Sequence, residues 1–519
     1  MALRILTTEQ NRLGIKKGKK MKSRIRELEK FGFAAIVMLA VALFTACGSD
    51  DDLIDEPQQP DGVKTYTLTV EATKGDDAAG SRSTRALSLD GKTLNAMWAQ
   101  GEAVTVYNVT RSADLTGSLT AQSSGATTVL KGTLTGSIQN GDQLKLKFLS
   151  PNYASQDGTL AYIAAHCDYA EATVTVTDAS TPSVTTTAAN FENQQAIVRF
   201  KLMNKAGDAS LYMATLKISD GTHIYTVNRR DSPDTFYVAI PGFSGQTISM
   251  LASYGSDVRD YIKSNVSFTN GQYYEITVNM DRVLAMAKAT TSSVGKVIAT
   301  DGKLYSHVRT AELAGATASG IVAYVGTAGS VEEGNSTYKG IAISLGEIAD
   351  PSNIFYCSNH ADCNGEAYSF SDALNLKNGI AATTLAVSNN ASHSNSHHAA
   401  VNSRNYSTAR PAGASEWSLP SLGQWNMIAK GLTESNTGLS TTANSTFSYA
   451  NIRSKVAAAG GWGFTWSMYW STTQCAGFEN AEKYNWVASF GNGSGNVNAQ
   501  IKDNSEHHYN IFVRPFFAF

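Results

Sequence analysis

The sequence predicts a β-rich chain of several domains in which helices enter only towards the C-terminus. Three observations carry this. Apolar and polar residues alternate in short runs such as TYTLTVEAT, where Tyr66, Leu68, Val70 and Ala72 share one face. Glycine is abundant, 43 of 519 residues, and only 17% of residues are charged, which suits strands and tight turns better than long surface helices. Helix signals are confined to the last block, where Ser421 and Gln424 form a capping box in LPSLGQWNMIAKG.

In chain order, Lys16 to Arg26 is basic, Phe31 to Phe44 is apolar, and Thr45-Ala46-Cys47 is small, the order of a secretory signal. The apolar run is shorter than the roughly 20 residues a membrane-spanning helix needs. Residues 1–46 read as a lipoprotein signal, with Met21 an alternative start, and Cys47 as the acylated residue that anchors the mature chain. An ordinary cysteine beside an ordinary cleavage site is the plainer alternative, and Phe44 departs from the Leu usual three positions before such a cysteine. Ser49 to Asp52 resembles the export signal that sends lipoproteins of certain gut and oral anaerobes to the outer face of the outer membrane; residues 47–63 are otherwise an acidic tether. Without residues 1–46 the chain carries 32 Lys+Arg against 41 Asp+Glu, a net of −9, which argues against nucleic acid as a partner.

Strands begin at Thr65. Asp90-Gly91 and Asn140-Gly141 read as hairpin turns around AVTVYNV and GDQLKLKFL, giving a first lobe over 64–165. QQAIVRFKL, ATLKISD, DTFYVAIP and FTNGQYYEITVNM give a second over 166–285, with Asn270-Gly271 closing its last hairpin. The stretch LNAMWAQGEAVTVYN, with Trp98, Gly101, Glu102, Val104 and Val106, followed by FENQQAIVRFKL and NGQYYEITVNM, resembles the two-lobed fimbrillin family over roughly residues 64 to 281. The family supplies subunits of donor-strand (type V-like) pili, and the resemblance implies two transthyretin-like β-sandwich lobes. It also implies delivery as a lipoprotein and a cut after an arginine that releases lipid and first strand together. Arg85 before Ala86 is the expected cut, with Arg82 in reserve, and Tyr66, Leu68 and Val70 would fill the groove until another subunit's strand replaces them. A permanent strand followed by a solvated linker is the competing reading.

From about 289 to 519 the pattern changes to α+β. Leu422, Trp425 and Ile428 share a helix face that Gly431 is expected to end, and Tyr449 to Ala459 forms a second helix. WSLPSLGQW, YWSTT and VRP resemble a C-type-lectin-like domain, in which Trp417, Pro420, Trp425, Trp470 and Arg514 would be scaffold. The indole edges then need partners, and Arg514 is suited to binding several carbonyls at once. YNWVASF and NVNAQIK read as strands, with GNGSGN at 491–496 the hairpin loop between them. Tyr484, Asn485, Asn492, Asn496, Asn498, Gln500, His507, His508 and Tyr509 are the expected ligand-contacting residues, because Asn, Tyr and Gln on a rigid scaffold give adaptable contacts; ordinary hairpin polarity is the alternative.

Enzymatic groups are not evident. No P-loop, HExxH or G-x-S-x-G occurs, and the lectin-type calcium motifs EPN, QPD and WND are missing. Cys357-x5-Cys363 with His360 is a poor zinc set and the more plausible disulfide, Cys475 has no partner near in sequence, and SHSNSHH (His393, His397, His398) reads as a solvated loop. No cofactor or metal is expected. The expectation is a surface lipoprotein of the outer membrane that acts, after processing, as a pilus tip adhesin: it accepts a strand from another fimbrillin-type pilin, offers none, and binds a protein or glycan through its last domain. A non-polymerising surface lipoprotein that binds or processes glycans is the rival.

Overall fold

A computed structural model describes residues 64–74, 88–90, 93–95, 97–149, 152–180, 182–231, 233–348, 366–390, 399–433, 438–440, 449–464, 467–476, 484–491, 494–501 and 511–519. Cys47, Arg82, Arg85, Ala86, Cys357, His360, Cys363, the 392–398 histidines, Asn492, His507, His508 and Tyr509 lie outside these residues.

The first part runs β1 (Lys64–Lys74), β2 (Ser88–Asp90), β3 (Thr93–Asn95), β4 (Ala103–Asn108), β5 (Ala113–Ala121), β6 (Thr127–Gly136), β7 (Gln143–Phe148), β8 (Ser155–Gln156), α1 (Leu160–His166), β9 (Ala170–Asp178), β10 (Ser183–Thr186) and β11 (Ala189–Asn193). Eight of these form one sheet in the order β10-β1-β11-β9-β7-β4-β5-β6, and a further β1–β6 pairing joins its margins into a ring. Alternation supplies the core: Val104, Val106, Leu144, Leu146 and Phe148 point inward with polar neighbours between them. Trp98 is buried among them, edge-on to Phe148 and Phe191 with centroids 5.6 and 5.0 Å away.

Two sequence expectations are corrected here. Asn140-Gly141 joins β6 to β7, which are not neighbours, so the connection crosses over instead of closing a hairpin. Gly141 still needs its left-handed φ of 84°, while the Asn140 side chain accepts the Ala179 N–H. A boundary at 165 also cuts through the sheet, because β9 to β11 extend it to Asn193.

The second part comprises β12 (Ala196–Asn204), β13 (Thr215–Ser219), β14 (Ile224–Asn228), β15 (Thr235–Ile240), β16 (Phe243–Tyr254), β17 (Asp257–Phe268) and β18 (Tyr273–Arg282), ordered β15-β12-β18-β17-β16-β13-β14-β8. The strands flanking Asn270-Gly271 pair only at their far ends, Arg259 with Arg282 and Asp260 with Asp281, so this too is no tight hairpin. β18 lies instead parallel to β12 from Ile197 and Tyr273 onward.

Between β8 and β15 a side chain takes the part of a strand. The buried Gln156 amide donates to the Ala239 carbonyl at 2.8 Å and accepts the Ala239 N–H at 2.9 Å, the two bonds a paired backbone would make. Gln156→Ala leaves both Ala239 groups without this partner in a buried site. It is expected to lower stability by about 2–3 kcal/mol in equilibrium denaturation followed by a probe in the second sheet.

The third part holds β19 (Leu284–Ala285), β20 (Val297–Ala299), β21 (Lys303–Tyr305), α2 (Val308–Leu313), β22 (Ala318–Val325), β23 (Gly340–Ser344), β24 (Ala367–Tyr368), α3 (Phe370–Ala373), α4 (Gly379–Asn390), α5 (Ala399–Arg404), α6 (Leu422–Leu432), α7 (Tyr449–Ala458), β25 (Ser467–Cys475), β26 (Tyr484–Gly491), β27 (Ser494–Ile501), β28 (Ile511–Phe512) and β29 (Phe516–Ala518). One sheet is β19-β21-β20-β22-β23-β29; the other is β24-β25-β26-β27, with β28 on β25. β26 and β27 form a hairpin in which Gly491 pairs with Ser494. α6 starts where its capping box directs: Ser421 Oγ accepts the Gln424 N–H and Gln424 Oε1 accepts the Ser421 N–H. Gly431 does not end it. A Cβ there would fall 2.0 Å from the Ala323 carbonyl oxygen, so this glycine lets the helix lie directly on β22.

The second and third parts share a seam. Asp260, fully buried on β17, accepts from the Ser306 N–H, from Ser306 Oγ at 2.8 Å and from Thr310 Oγ1 at 2.9 Å, and burial holds its carboxyl above the usual range. Lys217 donates to the Leu313 carbonyl at the end of α2, and Leu251 and Val283 pack in the apolar core of the third part.

Candidate functional site

β1 is the candidate site, and its position follows from its alternation. Tyr66, Leu68, Val70 and Ala72 are 3%, 0%, 1% and 2% exposed, whereas Thr69 and Glu71 face outward. Along one margin β1 pairs antiparallel with β6 from Lys64↔Gly136 to Thr73↔Thr127. Along the other it runs parallel to β10 at Thr67 to Thr69 and to β11 at Ala72 to Lys74. The Tyr66 hydroxyl donates to the Ile138 carbonyl at 3.3 Å.

Two consequences follow for the chemistry of this strand. Removing β1 opens the ring, bares backbone donors and acceptors on β6, β10 and β11, and leaves a trough where four side chains had been. Burial of each of the three larger ones is worth about 1.5–3 kcal/mol, so the trough favours refilling by another strand of the same pattern. Residues 75–87, which include the expected cut, separate β1 from the β2–β3 hairpin, and that hairpin is a separate two-stranded sheet.

The expected C-terminal residues divide. Trp417 donates its indole N–H to the Thr408 carbonyl at 2.7 Å, and Trp425 donates to the Trp470 carbonyl at 3.0 Å. Pro420 and Trp470 are buried. Arg514 is fully buried, donates to the carbonyls of Trp462 and Ser344, and lies 4.4 Å from the Phe464 ring centroid. Tyr484 is half-buried on β26. Asn485 is corrected: it is fully buried, donating from Nδ2 to the Ser471 carbonyl, and so presents nothing to an outside ligand. Asn496, Asn498 and Gln500 fall on β27 opposite Ser489, Val487 and Asn485.

Cys167 and Cys475 are both buried and free. Burial pushes each thiol up to about 12, the opposite of an activated nucleophile. Among the described residues no group of three or more His, Cys, Asp or Glu is placed to hold a metal.

Sequence reading missed Glu332. Its buried carboxylate meets the first turn of α4 and the α6 capping box, accepting from Ile380 N–H at 3.1 Å, Ala381 N–H at 3.2 Å and Gln424 Nε2 at 2.7 Å. Burial outweighs these donors and pushes its pKa up to about 7. The folded chain therefore holds this proton between pH 4.5 and 7 while the unfolded chain releases it. The stabilisation is complete below about pH 4.5 and is lost as pH rises through 7, on the order of 3 kcal/mol in all. Denaturation at about pH 5 and about pH 7.5 should show that Glu332→Gln removes this part of the slope.

No family model matches the chain, and no curated protein matches it. Solved structures do. A fimbrial assembly protein from Parabacteroides distasonis is 11% identical with a TM-score of 0.25, covering 43% of this chain and 96% of its own. The tip fimbrial protein Mfa3 from Porphyromonas gingivalis, C-terminally truncated, is 9% identical with a TM-score of 0.23, covering 42% and 95%. The shaft pilin SpaA from Lactobacillus rhamnosus GG is 14% identical with a TM-score of 0.20, covering 43% and 98%. TM-scores this low define no common fold, and the functional reading rests on β1.

Proposed function

We propose that this chain is a cell-surface pilus subunit acting in adhesion, which arrives as a lipoprotein anchored through Cys47 and gives up β1 so that a strand of another pilin can take its place. The single observation that carries the reading is that β1, the first of the described strands, has paired neighbours on both sides and an entirely buried apolar face. β29 is paired with β23 inside the third part, so this strand is engaged within its own subunit; the tip position itself is part of the proposal. The third part, resembling a C-type-lectin-like domain, would then carry the ligand-binding surface, and the pilus would display it outside the outer membrane.

The rival keeps β1 in place and makes the chain a tethered glycan-binding lipoprotein. The N-terminal residue of the surface-exposed protein separates the two. Ala86, together with recovery of the chain in sheared pili, is the expected result; Cys47 retained on every molecule, with none in the pilus fraction, would support the rival.

A further inference from the structure

We propose that a cleft at the seam of the second and third parts binds a hydroxylated organic anion the size of one sugar, of which a hexuronic acid is the simplest. The cleft, about 390 Å³, lies between β16 and β17 on one side and the end of α7 on the other, with Arg309 and His307 between them. That volume falls in the lower part of the roughly 300–1,000 Å³ of small-molecule sites. The proposal does not depend on whether β1 leaves.

Arg309 supplies the charge. Its guanidinium lies over the β13–β14 turn, where a Cβ on Gly221 would stand 2.9 Å from Nη1, and Gly221 also needs its φ of 95°. Among the described residues no carboxylate forms an ion pair with it. Asp220, in the same turn, is already engaged by the N–H groups of Thr222 and His223, by His223 Nδ1 and by the Tyr225 hydroxyl. A half-buried arginine in a cleft, with no carboxylate in direct contact, keeps guanidinium donors for a ligand carboxylate, and the ionised Asp220 nearby holds it to a single anionic group.

The neighbouring groups fix what else the ligand carries. His307 Nδ1 accepts the Arg309 N–H at 3.0 Å, and burial with the Arg309 charge holds the ring's pKa down to about 4, so the ring is neutral at pH 7 with its proton on Nε2. Thr247 Oγ1 donates to Ser264 Oγ at 3.3 Å, which leaves the Ser264 hydroxyl hydrogen free to donate. One cation, one neutral N–H and a pair of hydroxyls suit a single carboxylate flanked by hydroxyl groups better than a doubly charged phosphate. Ile262, Ala457 and Ala458 add apolar wall for the C–H face of a ring. At the end of α7 the carbonyls of Val456, Ala457 and Ala459 are taken up by the N–H groups of Gly461, Gly460 and Val308.

Calorimetric titration of the full chain with glucuronate, glucose and inorganic phosphate tests this. Glucuronate is expected to bind, with affinity falling at least about tenfold in Arg309→Gln, the loss of one charge-assisted contact. Binding is expected to vanish in Ala458→Phe, which fills the cleft from an exposed helix position. Thermal unfolding of both variants serves as the folding control. No binding of glucuronate, equal binding of glucose or phosphate, or a glucuronate affinity indifferent to both substitutions would each overturn the proposal.

Discussion

Leu68→Asp is expected to unfold the first sheet outright or to cost it more than about 4 kcal/mol, the largest effect of any single substitution in β1. Leu68 has no exposed surface, sits opposite Gly132 on β6 and Val184 on β10, and faces a core with no described cation beside it. A carboxylate placed there must either stay charged in an apolar interior or bind a proton at the cost of its normal pKa, and it also vacates the volume of a leucine. Thr69→Asp is the matched control, because the neighbouring side chain faces solvent and the same charge should cost well under about 1 kcal/mol. Hydrogen exchange across β4 to β7, read for both variants, separates loss of the ring from a local effect on β1.

Trp425→Ala is the corresponding lesion in the third part, with an expected cost of about 3–5 kcal/mol. The indole is fully buried, within 5.3 to 6.5 Å of the rings of Tyr469, Phe490 and Phe464, and its N–H holds the Trp470 carbonyl. Trp425→Phe keeps most of the apolar contact and loses the hydrogen bond, so its cost should be smaller, about 2 kcal/mol. Denaturant unfolding monitored by near-ultraviolet circular dichroism reads both. A loss under about 1 kcal/mol in the alanine variant would mean that the aromatic cluster is not what holds this part together.

What the sequence made legible was local. TYTLTVEAT announces a strand with one buried face because period two survives in any half-buried sheet, and the Ser421–Gln424 box announces the start of α6 because both bonds lie within one turn. What it hid was long-range. The parallel partners of β1 lie more than a hundred residues downstream, and the insertion of Gln156 beside Ala239 joins residues 83 apart in sequence; nothing in either segment marks its partner. Gly431 reads as a terminator because glycine commonly follows helices, yet here it serves a close approach to Ala323 that only packing reveals. Asn485 reads as exposed because it is polar, but β26 is covered on both faces, and Trp486, Val487 and Ala488 around it are buried as well. Glu332 had one faint signal, an acidic pair in VEEGNS next to an apolar block, too common a pattern to single out.

The measurement that tests the strand most directly is exchange. The full chain, cut between Arg85 and Ala86 by an arginine-specific protease, is incubated with a fluorescent peptide of residues 64–74 and passed through gel filtration. The cut chain should take up one peptide per molecule, the uncut chain none, and a peptide carrying Leu68→Asp should not be retained. A cut chain that keeps its own strand and takes up no peptide, or that takes up the Leu68→Asp peptide as well as the unaltered one, would contradict the account.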